Sequence, residues 1–528
     1  MDEQLLSEFS AFDFNPSIPV LDKCLELMNK YKIDGETIVN CWLGYSTTKL
    51  NGAAPTLEDL PAFDREFLSK EKFAKTAKEE PLSDSPVIHN ITTINQLVDD
   101  EELLGGYGTP VRKVNIAQKY GDVLRYLTGG ERNGCSLLPL VQQYMFSRLR
   151  DKYEVLEEQI DDKAQLLAEI MKIDEWSPHN QLLSETFNTV GRICCDATSS
   201  GTTRLHSSSL LLEGSRKLAS GHSVPLDVSG VKEYSFFPGQ VVAIAGSNPT
   251  GKRVIVSAVT TPPVNPIPKV DVNFQGPLDV IVACGPFTLC DDLEFAPMKD
   301  LIERIENIKP QLVILLGPFL DIRNKMVDSF ELDKTYQEQF DLILENLQRA
   351  ISDSIQVLII PSWRDAHHRI VYPTPPFQPK KIQANFHFFS DPCVVDVDGV
   401  LIGLTSTDIL FHLSKEEIAA APQGSDRLGR LVSHLFSQQS FYPLCPASDE
   451  MSVDLEKAQD HCKLPFTPHI LIVPSDLRFF IKNVNGCVVV NTERTVKGVS
   501  GGTFARLQIT AGDSSPNSVQ VKAEISRV

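Results

Sequence analysis

No Cys-x-x-Cys pair occurs in the chain, and its 11 cysteines are odd in number and scattered. That pattern argues against a zinc ribbon and for reduced, buried thiols rather than a disulfide framework. Also missing is any stretch that approaches the ~18–20 apolar residues of a membrane span. The opening "MDEQLLSEFSAFDF" has no basic region ahead of an apolar run. A soluble, intracellular protein without a membrane role is therefore expected, and Asn90-Ile91-Thr92 reads as a chance glycosylation sequon. Positive charge is scarce: 50 Lys and Arg stand against 69 Asp and Glu, a net −19. Such a balance repels phosphate backbones at long range, which argues against a main role in gripping nucleic acid. No repeat of fixed period is present.

What is present needs several domains, since 528 residues exceed a single core and suggest about three. Residues 1–78 read as a small helical interaction domain of four short helices. "IPVLDKCLELMNKYK" sets Val20, Leu21, Cys24, Leu25, Leu27 and Met28 at helical spacing, and "TLEDLPAFDREFLSK" starts on Thr56 with Glu58-Asp59 in its first turn. Residues 79–137 mix acidic, Pro, Gly and Ser/Thr positions without sustained period and read as mostly flexible linker. Two proline-directed sites lie there, Ser85-Pro86 and Thr109-Pro110, and Thr-Pro-x-Arg fits a cyclin-kinase pattern. A phosphate on Ser85 or Thr109 would add nearly two negative charges.

A helical connector follows over 138–175, with apolar residues three and four apart and many i,i+4 charge pairs. It is expected to pack on its own domain rather than on a partner. Over 176–265 the period switches to two. "TFNTVGRICCD", "SSSLLLEG", "VPLDVS", "QVVAIAGS" and "RVIVSAVT" are short strands between Gly and Ser turns, which suggests an OB-fold β-barrel. Inside it, "GSNPTGKR" nearly spells a phosphate-binding loop. Arg253 takes the magnesium hydroxyl position and a β-branched run follows where a helix is needed, so a hairpin is expected instead.

From 266 to 528 strands alternate with helices. "LDVIVACG", "QLVILLGP" and "IQVLIIPS" are near-continuous apolar runs, as for strands buried on both faces, with helices at about 297–308 and 334–351 between them. Their carboxyl ends are where such a sheet binds ligands. The third ends in "PSWRDAHH", which lifts Asp365, His367 and His368 into a loop in the manner of a metallohydrolase. This part resembles the calcineurin-like metallophosphoesterases, which place Asp-x-His, Gly-Asp, Gly-Asn-His-Asp and Gly-His-x-His at successive strand ends around two metals. At the corresponding positions stand Cys284 and Pro286, then Pro318, then Ser362, Trp363, Arg364 and Asp365, then Ser475. Proline offers no ligand atom and Arg364 brings a cation, so the set is a degenerate former metal site and no metal, cofactor or catalytic residue is expected. Asp321, Asp365 and Asp408 are expected to pair with arginines or cap turns. His367 and His368 read as incidental members of a polar loop.

An OB-fold followed by such a domain resembles the B-subunits of eukaryotic replicative DNA polymerases, most closely those that accompany polymerase alpha and primase. "FDREFLSK", "KEYSFFPGQVV", "ACGPFT", "ILLGPFLD", "PSWRDAHH" with "VYPTPPF", "GLTSTDILFHL", "SDRLGRLVSHLFSQQSFYPL" and "GGTFARL" carry the likeness in order. The resemblance implies a multidomain fold and a non-catalytic subunit. Its OB and phosphoesterase-like domains would clasp the zinc-bearing C-terminal domain of the catalytic subunit and so link it to primase. The N-terminal module would recruit replication factors, kinases would act on the linker, DNA contact would be weak or indirect, and the location would be nuclear. The rival readings are a metal-dependent phosphoesterase or nuclease with unusual ligands, and a single-stranded-DNA-binding OB protein.

Overall fold

The computed structural model describes residues 16, 18–31, 38, 42, 55, 60–63, 93–98, 116–120, 123–126 and 144–528, less 197–203, 269–275, 423 and 512–518. The chain divides into two units, Met1–Val87 and Ile88–Val528. In the first, the helix Ile18–Tyr31 buries Val20, Leu21, Cys24 and Leu27, one face at helical spacing. A short helix, Leu60–Phe63, sets Phe63 edge-on to Trp42 at 5.2 Å. The remainder of the expected four helices, and both Ser85 and Thr109, lie outside the described residues.

The second unit opens with three strands, β1 (Thr93–Val98), β2 (Ile116–Tyr120) and β3 (Val123–Tyr126). They fall within the 79–137 stretch expected to be mostly linker, the rest of which lies outside the described residues. β1 pairs with a strand near the C-terminus, and β2 pairs with residues 395–397. Each is only four to six residues long, too short for alternation to register, and β1 and β2 are fixed by partners hundreds of positions away.

Next comes the helix Leu149–Met171, built mostly from strong helix formers. Asp151 in its first turn accepts from the Arg148 backbone N–H at 2.9 Å, and Lys172 closes it in the left-handed region. Ile160 and Leu167 pack with Val190, Val241 and Ala243 of the barrel, so the connector does lie on its own domain.

That barrel consists of β4 (Leu183–Cys195), β5 (Leu210–Glu213), β6 (Ser223–Asp227), β8 (Val241–Asn248) and β9 (Val254–Thr260), with β7 (Tyr234–Phe236) leaving it between β6 and β8. It closes in the order β4-β5-β6-β9-β8, with β6 and β9 parallel and the other pairs antiparallel. This is the five-stranded Greek-key arrangement of an OB-fold. Ile193, Leu210, Leu212, Val224, Leu226, Val242 and Ile244 fill its interior from alternate positions. "GSNPTGKR" joins β8 to β9 as the expected hairpin. The Gly251 N–H donates to Asn248 O at 3.3 Å, with Gly251 at φ +71°.

The rest is a four-layer sandwich. Its strands are β10 (Leu278–Cys284), β11 (Leu312–Leu316), β12 (Gln356–Ile360), β13 (Phe386–Phe388), β14 (Cys393–Val397), β15 (Val400–Leu404), β16 (Ile418–Ala420), β17 (Ile470–Ile472), β18 (Phe480–Val484), β19 (Cys487–Asn491), β20 (Val496–Lys497), β21 (Ser500–Gly501), β22 (Thr503–Ala511) and β23 (Val519–Arg527). One sheet runs β1-β23-β22-β10-β11-β12-β13 and the other β18-β19-β17-β15-β14-β2-β3. Val280, Ile314 and Leu358 face Val395, Ile402 and Ile472 between the sheets. The alternate residues Ile281, Val313 and Ile359 pack outward on the helices Ala296–Ile308 and Tyr336–Ala350. Two cores fed by one strand explain the unbroken apolar runs.

Barrel and sandwich are joined by β7, which pairs antiparallel with β16. Across this seam Glu417, almost fully buried, accepts from Arg430 Nε (2.7 Å) and Nη2 (3.1 Å) and from Ser235 Oγ (2.6 Å), and lies 3.1 Å from His434 Nε2. Gln438 adds a second tie, its amide bonding both the N–H and the carbonyl of Val241.

Candidate functional site at the strand ends

The carboxyl ends of β10, β11, β12, β15 and β19 converge. Gly285 and Gly317 allow the approach. A Cβ on Gly285 would fall 2.0 Å from the Pro318 carbonyl oxygen, and one on Gly317 would fall 2.6 Å from Asp365 Oδ2. Cys284, buried at the end of β10, donates its thiol to Gly317 O at 3.3 Å and accepts from Arg494 Nη1 at 3.0 Å. Burial pushes that thiol up to about 11 against the pull of Arg494, so it is a neutral thiol near pH 7. Pro286 lines the adjoining cavity, and Pro318 is buried.

Asp365 is fully buried. Its Oδ1 accepts from the N–H groups of Phe319 (2.6 Å) and Leu320 (3.1 Å), and its Oδ2 from that of Ser362 (2.8 Å). It therefore organises two loops through their backbones, rather than pairing with an arginine. Burial pushes its carboxyl up to about 7, opposed by those three donors and reinforced by nearby Asp321. Asp321 does pair with an arginine: Arg364 Nε reaches its Oδ1 at 3.1 Å and Arg364 Nη2 contacts its Oδ2. Trp363 turns away into the core against the other sheet's helices. Ser475 is buried and structural, its N–H donating to Asn491 Oδ1 at 2.8 Å and its Oγ accepting from the Leu477 N–H at 3.1 Å.

Arg494 is the residue that sequence reading misses. It sits just after β19 and is almost fully buried, with Nε on Asp476 (3.0 Å), Nη1 on Cys284 and Nη2 3.6 Å from Asp408. Asp408 also caps the helix Ile409–Glu416 by accepting from the Phe411 N–H at 3.0 Å. The only advance signal for Arg494 is its place beyond the end of an apolar strand.

The two histidines take a structural role, packed on aromatic rings. His367 stacks on Phe340 at 3.8 Å and 12°, and burial pushes it down to about 3, so it stays neutral. His368 lies edge-on to Phe377 at 4.9 Å and its Nε2 is 2.7 Å from Pro375 O. Neither joins Asp365 in a ligand set. Among the described residues, no group of three or more His, Cys, Asp or Glu side chains is placed to hold a metal ion. At the strand ends two guanidinium groups, Arg364 and Arg494, occupy the carboxylates instead.

The described residues thus form a five-stranded barrel seated on a sandwich whose strand ends are bridged by arginine–aspartate pairs. The B-subunit family of DNA polymerases alpha and epsilon matches residues 280–482. The OB domain of the DNA polymerase alpha B-subunit matches 153–261, and the N-terminal domain of that same subunit matches 3–70. The chain is 32% identical to the DNA polymerase alpha B-subunit of Rattus norvegicus, over 96% of this chain and 95% of that protein. Its identity to the corresponding protein of Schizosaccharomyces pombe is 34%, over 69% and 67%, and to that of Drosophila melanogaster 28%, over 96% of each. The chain belongs to the DNA polymerase alpha B-subunit family. Among solved structures, a Vps29 mutant from Entamoeba histolytica aligns with 47% of this chain and 99% of its own, at 13% identity and a TM-score of 0.21, too slight a likeness to argue from. No helix among the described residues is long and apolar enough to cross a membrane.

Proposed function

We propose that this chain is a non-catalytic scaffold in the DNA polymerase alpha–primase complex. Its barrel and sandwich hold the zinc-bearing C-terminal domain of the catalytic subunit and so link it to the primase subunits for RNA–DNA primer synthesis at replication initiation. The helical N-terminal domain recruits replication factors, Ser85 and Thr109 are phosphorylated in the intervening segment, and the protein works in the nucleus. The observation that carries the reading is the occupation of the strand ends by Arg364 and Arg494, each neutralised by aspartates, in a chain related along its length to polymerase subunits. Two metal ions need several carboxylates and imidazoles to offset about four positive charges, and here Asp321, Asp408 and Asp476 are already paired with arginines while Asp365 is taken up by backbone N–H groups.

A DNA-binding barrel is less favoured. The outward positions of β5 and β6 are Leu211, Glu213, Pro225 and Asp227, which offer carboxylates and no aromatic ring. Stacking platforms in basic grooves are what single strands require.

Mixing the full chain with the isolated C-terminal domain of the catalytic subunit is expected to give one co-eluting 1:1 species in size-exclusion chromatography. Separate elution at micromolar concentration would refute the scaffold reading. Manganese-dependent cleavage of phosphodiesters that is lost in Asp365→Asn would establish the phosphoesterase reading instead.

A further inference from the structure

A cavity of about 340 Å³ opens beside the strand ends. Arg323, Arg364, Arg494 and Lys497 line it, against two carboxylates, Asp321 and Asp476. The remaining counter-charges lie outside its wall: Glu450 pairs with Arg323, Asp408 with Arg494, and Glu493 with Lys497. The wall itself thus holds four cations and two carboxylates, and an anion that enters competes with Glu450 and Glu493 for Arg323 and Lys497. Arg364 uses Nε and Nη2 on Asp321, and its Nη1 makes no hydrogen bond among the described residues. Arg323 and Lys497 keep 47% and 44% of their side-chain surface exposed, so each can exchange its surface carboxylate for an incoming anion.

We propose that this cavity is a phosphoryl-binding pocket. It accepts a phosphate dianion, free or at the end of a chain, and holds it without breaking a bond. Arg364 Nη1, the Arg323 guanidinium and the Lys497 ammonium are the donors that can reach a tetrahedral oxyanion, while Arg494, held on Asp476, Cys284 and Asp408, contributes charge. A dianion competes with the carboxylate partners of Arg323 and Lys497 more strongly than a singly charged diester does. Ligand pockets begin at roughly 300 Å³, so the space also admits the group that carries a terminal phosphate. The pocket differs from a phosphoesterase centre in its chemistry: the guanidinium groups bind the anion but activate no water.

The test is a titration of the full chain with inorganic phosphate at low ionic strength, followed by 31P line broadening and calorimetry. Saturable binding is expected. Arg323→Glu and Lys497→Glu should each weaken it by about tenfold or more, with an unchanged melting temperature. Arg150→Glu, on an exposed part of the 149–171 helix, should leave it unchanged. A parallel titration compares 5′-phosphorylated with 5′-hydroxyl oligonucleotides. Tighter binding of the phosphorylated strand assigns a terminal phosphate as the ligand, and equal binding with retained phosphate affinity assigns the free anion. Absence of saturation, or affinity indifferent to both glutamate substitutions, would overturn the proposal.

Discussion

Replacing Glu417 by alanine is expected to lower the unfolding free energy by about 3–5 kcal/mol, the usual loss when one partner of a buried ionic cluster is removed. The change leaves Arg430 and His434 without their carboxylate and Ser235 without its acceptor, at the seam where β7 of the barrel meets β16 of the sandwich. Urea denaturation at neutral pH measures it, and a loss under about 1 kcal/mol would mean that the seam is held by β pairing alone. The pH dependence gives a second reading of the same group. Burial pushes the Glu417 carboxyl up, but hydrogen bonds from His434, Arg430 and Ser235 together outweigh it and hold the group at about 2, below its usual 4.5. A carboxylate lowered on folding contributes stability that is complete above its unfolded value and is lost as pH falls through the folded one. The difference between the native chain and Glu417→Gln should therefore be largest above about pH 4.5 and shrink toward pH 2.

Asp365→Ala is expected to be as damaging, again by about 3–5 kcal/mol, because three buried N–H groups lose their acceptor at roughly 1–3 kcal/mol each before relaxation. Those donors belong to Phe319, Leu320 and Ser362, so the loops after β11 and β12 should loosen together. Hydrogen exchange at the three amides reports this directly, and protection that survives the substitution would show that the loops stand without Asp365. Asp365→Asn should be milder, since one carbonyl oxygen remains. Here the sign of the pH effect is reversed. A carboxyl raised from 3.8 to about 7 on folding favours the protonated native state, so its contribution is greatest at acid pH and declines as pH rises through that window. Asn at this position should flatten that slope.

The sequence announces β10, β11 and β12 because burial on both faces leaves them little but Val, Ile and Leu. It also announces the barrel, through short alternating runs between Gly and Ser turns. β7 and β16, of three residues each, carry no period and exist only because they meet. The same holds for β1, β2 and β3. At the strand ends, the chemistry of Pro318, which has no ligand atom, and of Arg364, a cation, is legible residue by residue. The pairing around them is not. Nothing local marks Arg494 as the cation that ties Cys284, Asp408 and Asp476 together, because its partners lie up to 210 positions away. His367 and His368 mislead for a similar reason: adjacent histidines suggest a ligand pair, and only the fold brings Phe340 and Phe377 against them.

The pairing of β7 with β16 bears on how the molecule comes apart. Two domains joined by a tether melt as two events, whereas domains that share a hydrogen-bonded ribbon and a buried glutamate can separate only by breaking both. Neither the barrel nor the sandwich can then open first. Calorimetry of the chain should accordingly give one endotherm for barrel and sandwich together, and the amides of Ser235 and Ala419 should exchange at the rate of that single event rather than of a fraying edge.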